Sequence, residues 1–472
     1  MNEPSPGVDI SDGRPAPALA LASVRRRLLR GSSWVLAGKV ITLPLGFVMN
    51  ALLARLLTPS ELGAYFATFT LVLVGSVVAQ LGLDRAAVRF VSTSLALGDQ
   101  GRARRVIRIV FAVGTAAAVV VGLVLVLGLG GWLSRHIFHS EVMAQVIPIA
   151  AGWLVVTALR SLVVETFRGF QQFGLATVFD SLLTDVLTAV AFGALLFLRA
   201  DASLREVVAI SVAFAAVASA IAGSLLIRRV RALRGDGDVA RGEIFAMAWP
   251  VLFTDVSIYL LGTGVDLLIL GAFRPLSEVA LYGAASRLMM LVVTPYRVLQ
   301  GVVPPIIAEL YANGRKRELE RVLRASATLA GVPAALALVA FLLLGSAIMG
   351  LIYGPFYRQG ATILAILSVG RLVAVWTGSC GLALMMTGHQ KAMMAITVFW
   401  GITSITAGLL VAPRFGAVGV AATTAGTAAF QNLVQLHLAR RRIGISTQAD
   451  LSPRRLLAFL SGRESATELE PS

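Results

Sequence analysis

The stretch TPSELGAY at residues 58–65 returns half a chain later as PLSEVALY at 275–282. Ser60, Glu61 and Tyr65 thereby stand opposite Ser277, Glu278 and Tyr282. A second pair, GFQQFGLATVF at 169–179 and GHQKAMMAITVF at 388–399, differs by one inserted residue. Both pairs fall in short connections between long apolar runs. The chain of 472 residues is 57% hydrophobic and only 14% charged, where a soluble protein holds about 25% charged residues. Each apolar run of about twenty residues is long enough to cross ~30 Å of hydrocarbon. This is the composition of an all-α, polytopic integral membrane protein.

Twelve transmembrane spans are expected, at about 31–54, 64–83, 109–132, 144–167, 175–198, 206–227, 244–272, 279–304, 325–349, 361–387, 392–412 and 416–438. The repeated motifs take the same places in each half: the connection after the first or seventh span, and that after the fourth or tenth. Six spans per half is an even number, so both halves enter the membrane from the same side. They form two parallel six-helix repeats, and transporters built this way bind substrate between the halves near the midplane. The expected division is a disordered segment 1–24, a first lobe 25–234, a second lobe 235–443 and a tail 444–472. The basic run RRRLLR at 25–30 precedes the first apolar segment. That segment is longer than a secretory signal core, so it reads as a retained span.

Positive charge sets the orientation. With both termini cytoplasmic, the inner segments carry 29 Lys and Arg and the outer loops 7, as the positive-inside rule requires. Orientation therefore explains the net charge of +16, with no nucleic-acid partner. Cys380 is the only cysteine, so no internal disulfide and no multi-cysteine metal site can form. Gly38-Lys39 is followed by Val40, and Ser33 stands where an ATP-binding loop needs glycine. No cofactor is expected.

Charges inside the spans carry the functional signal. A carboxylate at the bilayer centre costs about 2.5–3.5 kcal/mol on insertion scales. Yet FTDVSIYLLGTGVDLLILG at 253–271 holds both Asp255 and Asp266. Read as one continuous helix, the eleven-residue spacing puts both on one face. With one gap, the first span aligns with the seventh, setting Lys39 opposite Asp255 and Asn50 opposite Asp266. Folding the seventh and eighth spans about Leu276 brings Asp266 level with Arg287 and Asp255 level with Arg297. The fourth and fifth spans likewise set Arg160 level with Asp185. Glu165 comes level with Asp180, two acids that Arg168 could bridge. Arg371 has no evident partner. Two readings stay open for these groups: ion pairs locking neighbouring helices, or the lining of a wet cavity between the halves. In the second, basic side chains meet a phosphate-bearing substrate.

The segment 31–92, with LLARLLTPSELGAY and LGLDRAAVRF, and later PRFGAVGVAATTAG and ARRRIG, resembles bacterial polysaccharide transporters. These include the O-antigen and exopolysaccharide flippases of the multidrug/oligosaccharidyl-lipid/polysaccharide superfamily. The resemblance covers roughly residues 31–443. It implies a MATE-like arrangement of two six-helix lobes around a central cavity that opens alternately to each side. It implies an undecaprenyl-pyrophosphate-linked oligosaccharide as substrate, moved across the bacterial inner membrane for surface polysaccharide and coupled to protons or sodium. Polysaccharide polymerase and glycosyltransferase partners belong to the same expectation, as do membrane lipids. Cavity cations would then be Lys39, Arg297, Arg371, Arg287 and Arg160, with Asp255, Asp266 and Asp185 as coupling or balancing acids. A multidrug exporter of the same superfamily is the alternative, although it would favour an acid-dominated cavity. A membrane polymerase or ligase would need a long external loop, and every outer loop expected here is short.

Overall fold

The computed structural model describes residues 41–42, 44–198, 202–235, 237–260, 263–300 and 303–450. In chain order the helices are α1 (Pro44–Leu56), α2 (Pro59–Gln80), α3 (Leu83–Ala96), α4 (Gln100–Ile137), α5 (Glu141–Gly169), α6 (Phe173–Phe197) and α7 (Leu204–Ala232). Then come α8 (Arg241–Leu260), α9 (Thr263–Phe273), α10 (Leu276–Gln300), α11 (Val303–Ala312), α12 (Lys316–Tyr353), α13 (Ala361–Thr377), α14 (Cys380–Met386) and α15 (Gln390–Arg442). Nine helices among the described residues are long and apolar enough to cross a membrane. The difference from the expected twelve has local causes. The first span begins outside the described residues. The seventh includes residues 261–262, which lie outside the described residues, so α8 and α9 are its described parts. The eleventh and twelfth run together as α15, with non-helical backbone at Gly416.

The repeated motif explains how these elements start and stop. At α2, Thr58 and Glu61 form a reciprocal cap: the Thr58 N–H donates to Glu61 Oε2 at 3.0 Å, and the Glu61 N–H donates to Thr58 Oγ1 at 3.4 Å. This satisfies donors that a helix start leaves free. The second copy has Pro275 where the first has Thr58, so no such cap forms. Its acid, Glu278, instead accepts from the Arg274 guanidinium at 2.7 Å and from the Ala417 N–H at 3.1 Å. Ala417 follows Gly416, whose φ of 56° breaks α15. An added Cβ there would lie 2.4 Å from Glu278 Oε2, so the break needs glycine twice over: for its backbone angle and for room. The same sequence motif caps its own helix in one half and a distant break in the other.

Element lengths repeat as well. Both α4 and α12 have 38 residues, and each follows a turn with a left-handed glycine, Gly98 or Gly314. The main hydrophobic core joins the two halves through α2 and α10: Leu62, Phe66 and Ala67 pack in one cluster with Tyr282, Ala284 and Leu288. Beyond the C-terminal ends of α2 and α10 the cores separate. One cluster holds Leu83, Val106 and Leu162 with Ile244 and Ala248; another holds Ile307, Leu323, Leu384 and Ile443. The described halves thus share one core where α2 and α10 begin and pack in separate clusters at the other end, where α8 of the second half joins the cluster of the first.

The helix α8 crosses between them. Its Ala248 carbonyl oxygen would lie 2.1 Å from a Cβ at Gly82, the left-handed residue (φ 70°) between α2 and α3. Its first turn also meets α4 through Arg102 and Glu243, 3.0 Å apart.

Close approach of α2 and α10 rests on glycine. A Cβ at Gly63 would lie 1.7 Å from the Leu276 carbonyl oxygen, so Gly63→Ala should cost about 1–3 kcal/mol. Gly223→Ala on α7, whose Cβ meets nothing within 4 Å, should melt at or slightly above the unsubstituted protein. Fluorescence-detected size-exclusion melting in detergent compares them; equal midpoints would mean that these helices do not meet at Gly63.

Candidate functional site

Asp266 is the most thoroughly enclosed of the expected acids, with 7% of its surface exposed. It sits on α9, in the latter part of the seventh span. Tyr282 of α10 donates its hydroxyl to Asp266 Oδ2 at 2.6 Å, and Thr424 of α15 donates to the same oxygen at 3.1 Å. Arg371 of α13 is an electrostatic neighbour of both Asp266 and Tyr282, and its next neighbour is Arg297. Four helices of the second half therefore converge on one carboxylate. Two hydroxyl donors make a buried carboxylate tolerable, and a nearby guanidinium offsets its charge. Arg297, near the C-terminal end of α10, is exposed. It extends this charged group to the side where the two halves pack separately.

The duplicated positions have diverged. Tyr65, the counterpart of Tyr282, has Ser211 rather than an acid as its hydroxyl partner. Asn50, the counterpart of Asp266, turns its amide onto the Gly46 carbonyl of its own helix at 2.6 Å. The acid centre is a property of the second half alone among the described residues.

The helix face expected to carry both Asp255 and Asp266 runs through residues 261–262, which lie outside the described residues. Asp266 turns into the second half. Asp255, partly exposed, has Asp84 and Arg85 of α3 as its electrostatic neighbours. Of the level pairs expected about Leu276, neither acid has its arginine among its electrostatic neighbours. Arg287 faces the first half, with its guanidinium carbon 5.7 Å from the Phe66 ring centroid, a cation–π distance. Its electrostatic neighbours are Tyr65 and Tyr353.

Other placements follow the expected geometry. Arg160 donates to Thr184 at 3.4 Å and has Asp180 and Asp185 as electrostatic neighbours. Arg168 bridges Glu165 and Asp180, bonding the first and reaching the second at 3.0 Å. Lys39 lies outside the described residues. Sequence reading passed over Tyr282 and Thr424, though the SE-x3-Y spacing shared by the two motifs pointed to the tyrosine. It also passed over Asp84, buried at the start of α3 with one carboxylate oxygen lacking a hydrogen-bond partner. No group of three metal-binding side chains forms among the described residues.

Residues 28–311 match the family described as polysaccharide biosynthesis protein. A curated relative, "Probable flippase AglR" of Haloferax volcanii, is 30% identical over 163 residues, 34% of each chain. The match thus spans about a third of that relative's length. Among solved structures, a multidrug resistance MATE family transporter in an inward-facing conformation has a TM-score of 0.69 at 14% identity, covering 85% of this chain and 94% of its own. The lipid II flippase MurJ, in an inward closed conformation, has a TM-score of 0.66 at 14% identity, covering 87% of each chain. A MOP superfamily transporter from Pyrococcus furiosus, described by the reverse polarity of its binding pocket, follows at 0.58 and 12%, covering 89% and 95%. At these identities the likeness is one of fold. Family match and composition together make this multi-pass membrane chain a member of the polysaccharide biosynthesis protein family, with the fold of the MATE and MurJ transporters.

Proposed function

We propose that the protein is a flippase that carries a pyrophosphate-linked oligosaccharide on its polyprenyl lipid across the bacterial inner membrane, for surface polysaccharide assembly. The observation that carries this reading is the cluster of Asp266, Arg371 and Arg297. It sets a buried acid and two guanidinium groups within the bilayer, next to the region where the halves pack apart. Planar guanidinium groups suit the two phosphates, and the acid supplies an exchangeable counter-charge for a coupling ion. The family match and the curated flippase relative support the substrate class.

In this reading twelve crossings form two six-helix lobes, 25–234 and 235–443, with both termini cytoplasmic. The present conformation opens toward the cytoplasm, because α2 and α10 meet at the end that starts from the outer loops. Rocking of the lobes would then expose the cluster to the other side. The sugar crosses in the hydrated gap while the lipid tail stays in the bilayer. Lys39 and Arg287 add cations from either side of the gap, and Arg160, Asp185 and Asp255 balance charge within it. Glycosyltransferases and a polymerase would supply the substrate and use the product.

Arg371→Ala and Arg297→Ala should each weaken capture of the pyrophosphate by about 2 kcal/mol, the worth of a charge-assisted hydrogen bond. Surface polysaccharide in a flippase-deleted strain should then fall by roughly thirtyfold at unchanged protein abundance. Full polysaccharide from well-expressed variants would count against a substrate role. If the same variants change resistance to cationic drugs instead, the multidrug-exporter reading takes its place.

Asp266→Asn keeps the size of the side chain and its place between Tyr282 and Thr424 but removes the charge. In proteoliposomes, it should abolish stimulation of lipid-linked oligosaccharide transport by an imposed proton or sodium gradient, while slow exchange without a gradient persists. Undiminished stimulation would remove Asp266 from coupling.

A further inference from the structure

The chain does not leave the second half when α15 ends at Arg442. Residues 443–450 run on without regular secondary structure, and their burial alternates. Ile443, Ile445, Thr447 and Ala449 are 1%, 1%, 0% and 7% exposed, while Gly444, Ser446 and Gln448 are more open. A two-residue period is that of a strand lying in a groove. The groove lies between α12 and the junction of α13 with α14.

That junction closes the candidate span Pro355–Thr377. At Gly378 the backbone has φ 70° and ψ −161°, so the last carbonyls of α13 lose their intrahelical donors. Buried groups of this kind need protein partners, and the segment after α15 brings them. The Ala449 N–H donates to the Trp376 carbonyl at 2.8 Å. Thr447 Oγ1 donates to the Thr377 carbonyl at 2.7 Å. The Gly378 carbonyl itself accepts from the Tyr296 hydroxyl of α10 at 3.1 Å. A Cβ at Gly378 would lie 2.2 Å from the Thr447 carbonyl oxygen, so the strand and the break are shaped to each other. On the opposite side, the Asp450 N–H donates to Thr328 at 2.9 Å and Arg324 pairs with the Asp450 carboxylate at 3.0 Å, both from α12. The fourth helix of the first half, α5, runs unbroken over 29 residues, so the break and its strand belong to the second half only.

We propose that residues 443–450 are a strap that holds the Gly378 break in its present geometry, with Thr447 as its positioning residue, and that release of the strap frees α14 to swing during the transport cycle. Arg371 lies on α13 less than two turns before the break, so the strap sets where this guanidinium stands relative to Asp266. That consequence for transport rests on the flippase reading; the docking of the strap does not.

Cys380 is the first residue of α14, 0% exposed, and the chain's only cysteine. Its rate of alkylation by N-ethylmaleimide in native membranes therefore reports whether the break is covered. In the unsubstituted protein the rate should be very low. Thr447→Val removes one hydroxyl donor at nearly constant shape and should raise the rate roughly fivefold, the factor that one net hydrogen bond is worth. Thr447→Ser should restore protection, and a chain ended after Arg442 should label fastest.

Equal, slow labelling in Thr447→Val and in the shortened chain would overturn the strap. Labelling of Thr447→Ser as fast as that of Thr447→Val would assign the effect to packing, and overturn Thr447 as its positioning residue. Surface polysaccharide is the second readout. It should fall in Thr447→Val and recover in Thr447→Ser. Changed labelling with unchanged polysaccharide would leave the strap without a part in transport. If the unsubstituted protein fails to restore polysaccharide, the flippase reading fails, while the labelling result stands by itself.

Discussion

A helix that stops leaves N–H and C=O groups without intrahelical partners, so each such end that is buried must be answered by another part of the chain. Much of the structure follows from how these breaks are answered. The break between α2 and α3 at Gly82 lies against the α8 backbone at Ala248. The break in α15 is met by Glu278, from the connection between α9 and α10. The break between α13 and α14 is met by Tyr296 and by the strand after α15. In each case the contact comes from far along the sequence, so local irregularity becomes long-range organisation. The links across the chain are specific because the groups they satisfy are few and fixed in place.

The class of fold was legible because it depends on sums and periods. Apolar length, charge asymmetry and a recurring motif each survive an error of several residues. The pairing of 58–65 with 275–282 anticipated the matching order of helices, including the two 38-residue elements that composition alone would not have equated. The positions of the breaks were not legible in the same way. Proline and glycine are frequent in membrane helices, and many glycines here, such as Gly46 and Gly223, have open space around them. Gly378, Gly416 and Gly82 differ only in their backbone angles and in what approaches them. Both depend on the folded chain.

The same limit governs the charged residues. Reading two helices as a hairpin gave Arg160 its acidic neighbours, because α5 and α6 are joined by a short connection. It did not give the partners of Asp266 or the neighbours of Asp255, because these come from other helices. Glu165, Arg168 and Asp180 fell as read because their connection is tight. The hydroxyl partners of Asp266 come from helices 16 and 158 residues away. The nearer belonged to a motif already noticed, whereas nothing in the sequence marked Thr424. Duplication supplied two similar scaffolds, and only one acquired the acid.

The length of α4 and α12 has a mechanical consequence. At 1.5 Å per residue, the 38 residues of α12 extend about 57 Å, nearly twice the ~30 Å of the hydrocarbon layer, and α4, whose far end holds two π-helical turns, somewhat less. Each is therefore a lever that stands well clear of the bilayer. A tilt of about 10° with one end as fulcrum moves the other by about 10 Å, from the same rise per residue. A modest rearrangement where α2 and α10 meet would thus be magnified at the far ends of these rods, without any helix having to melt.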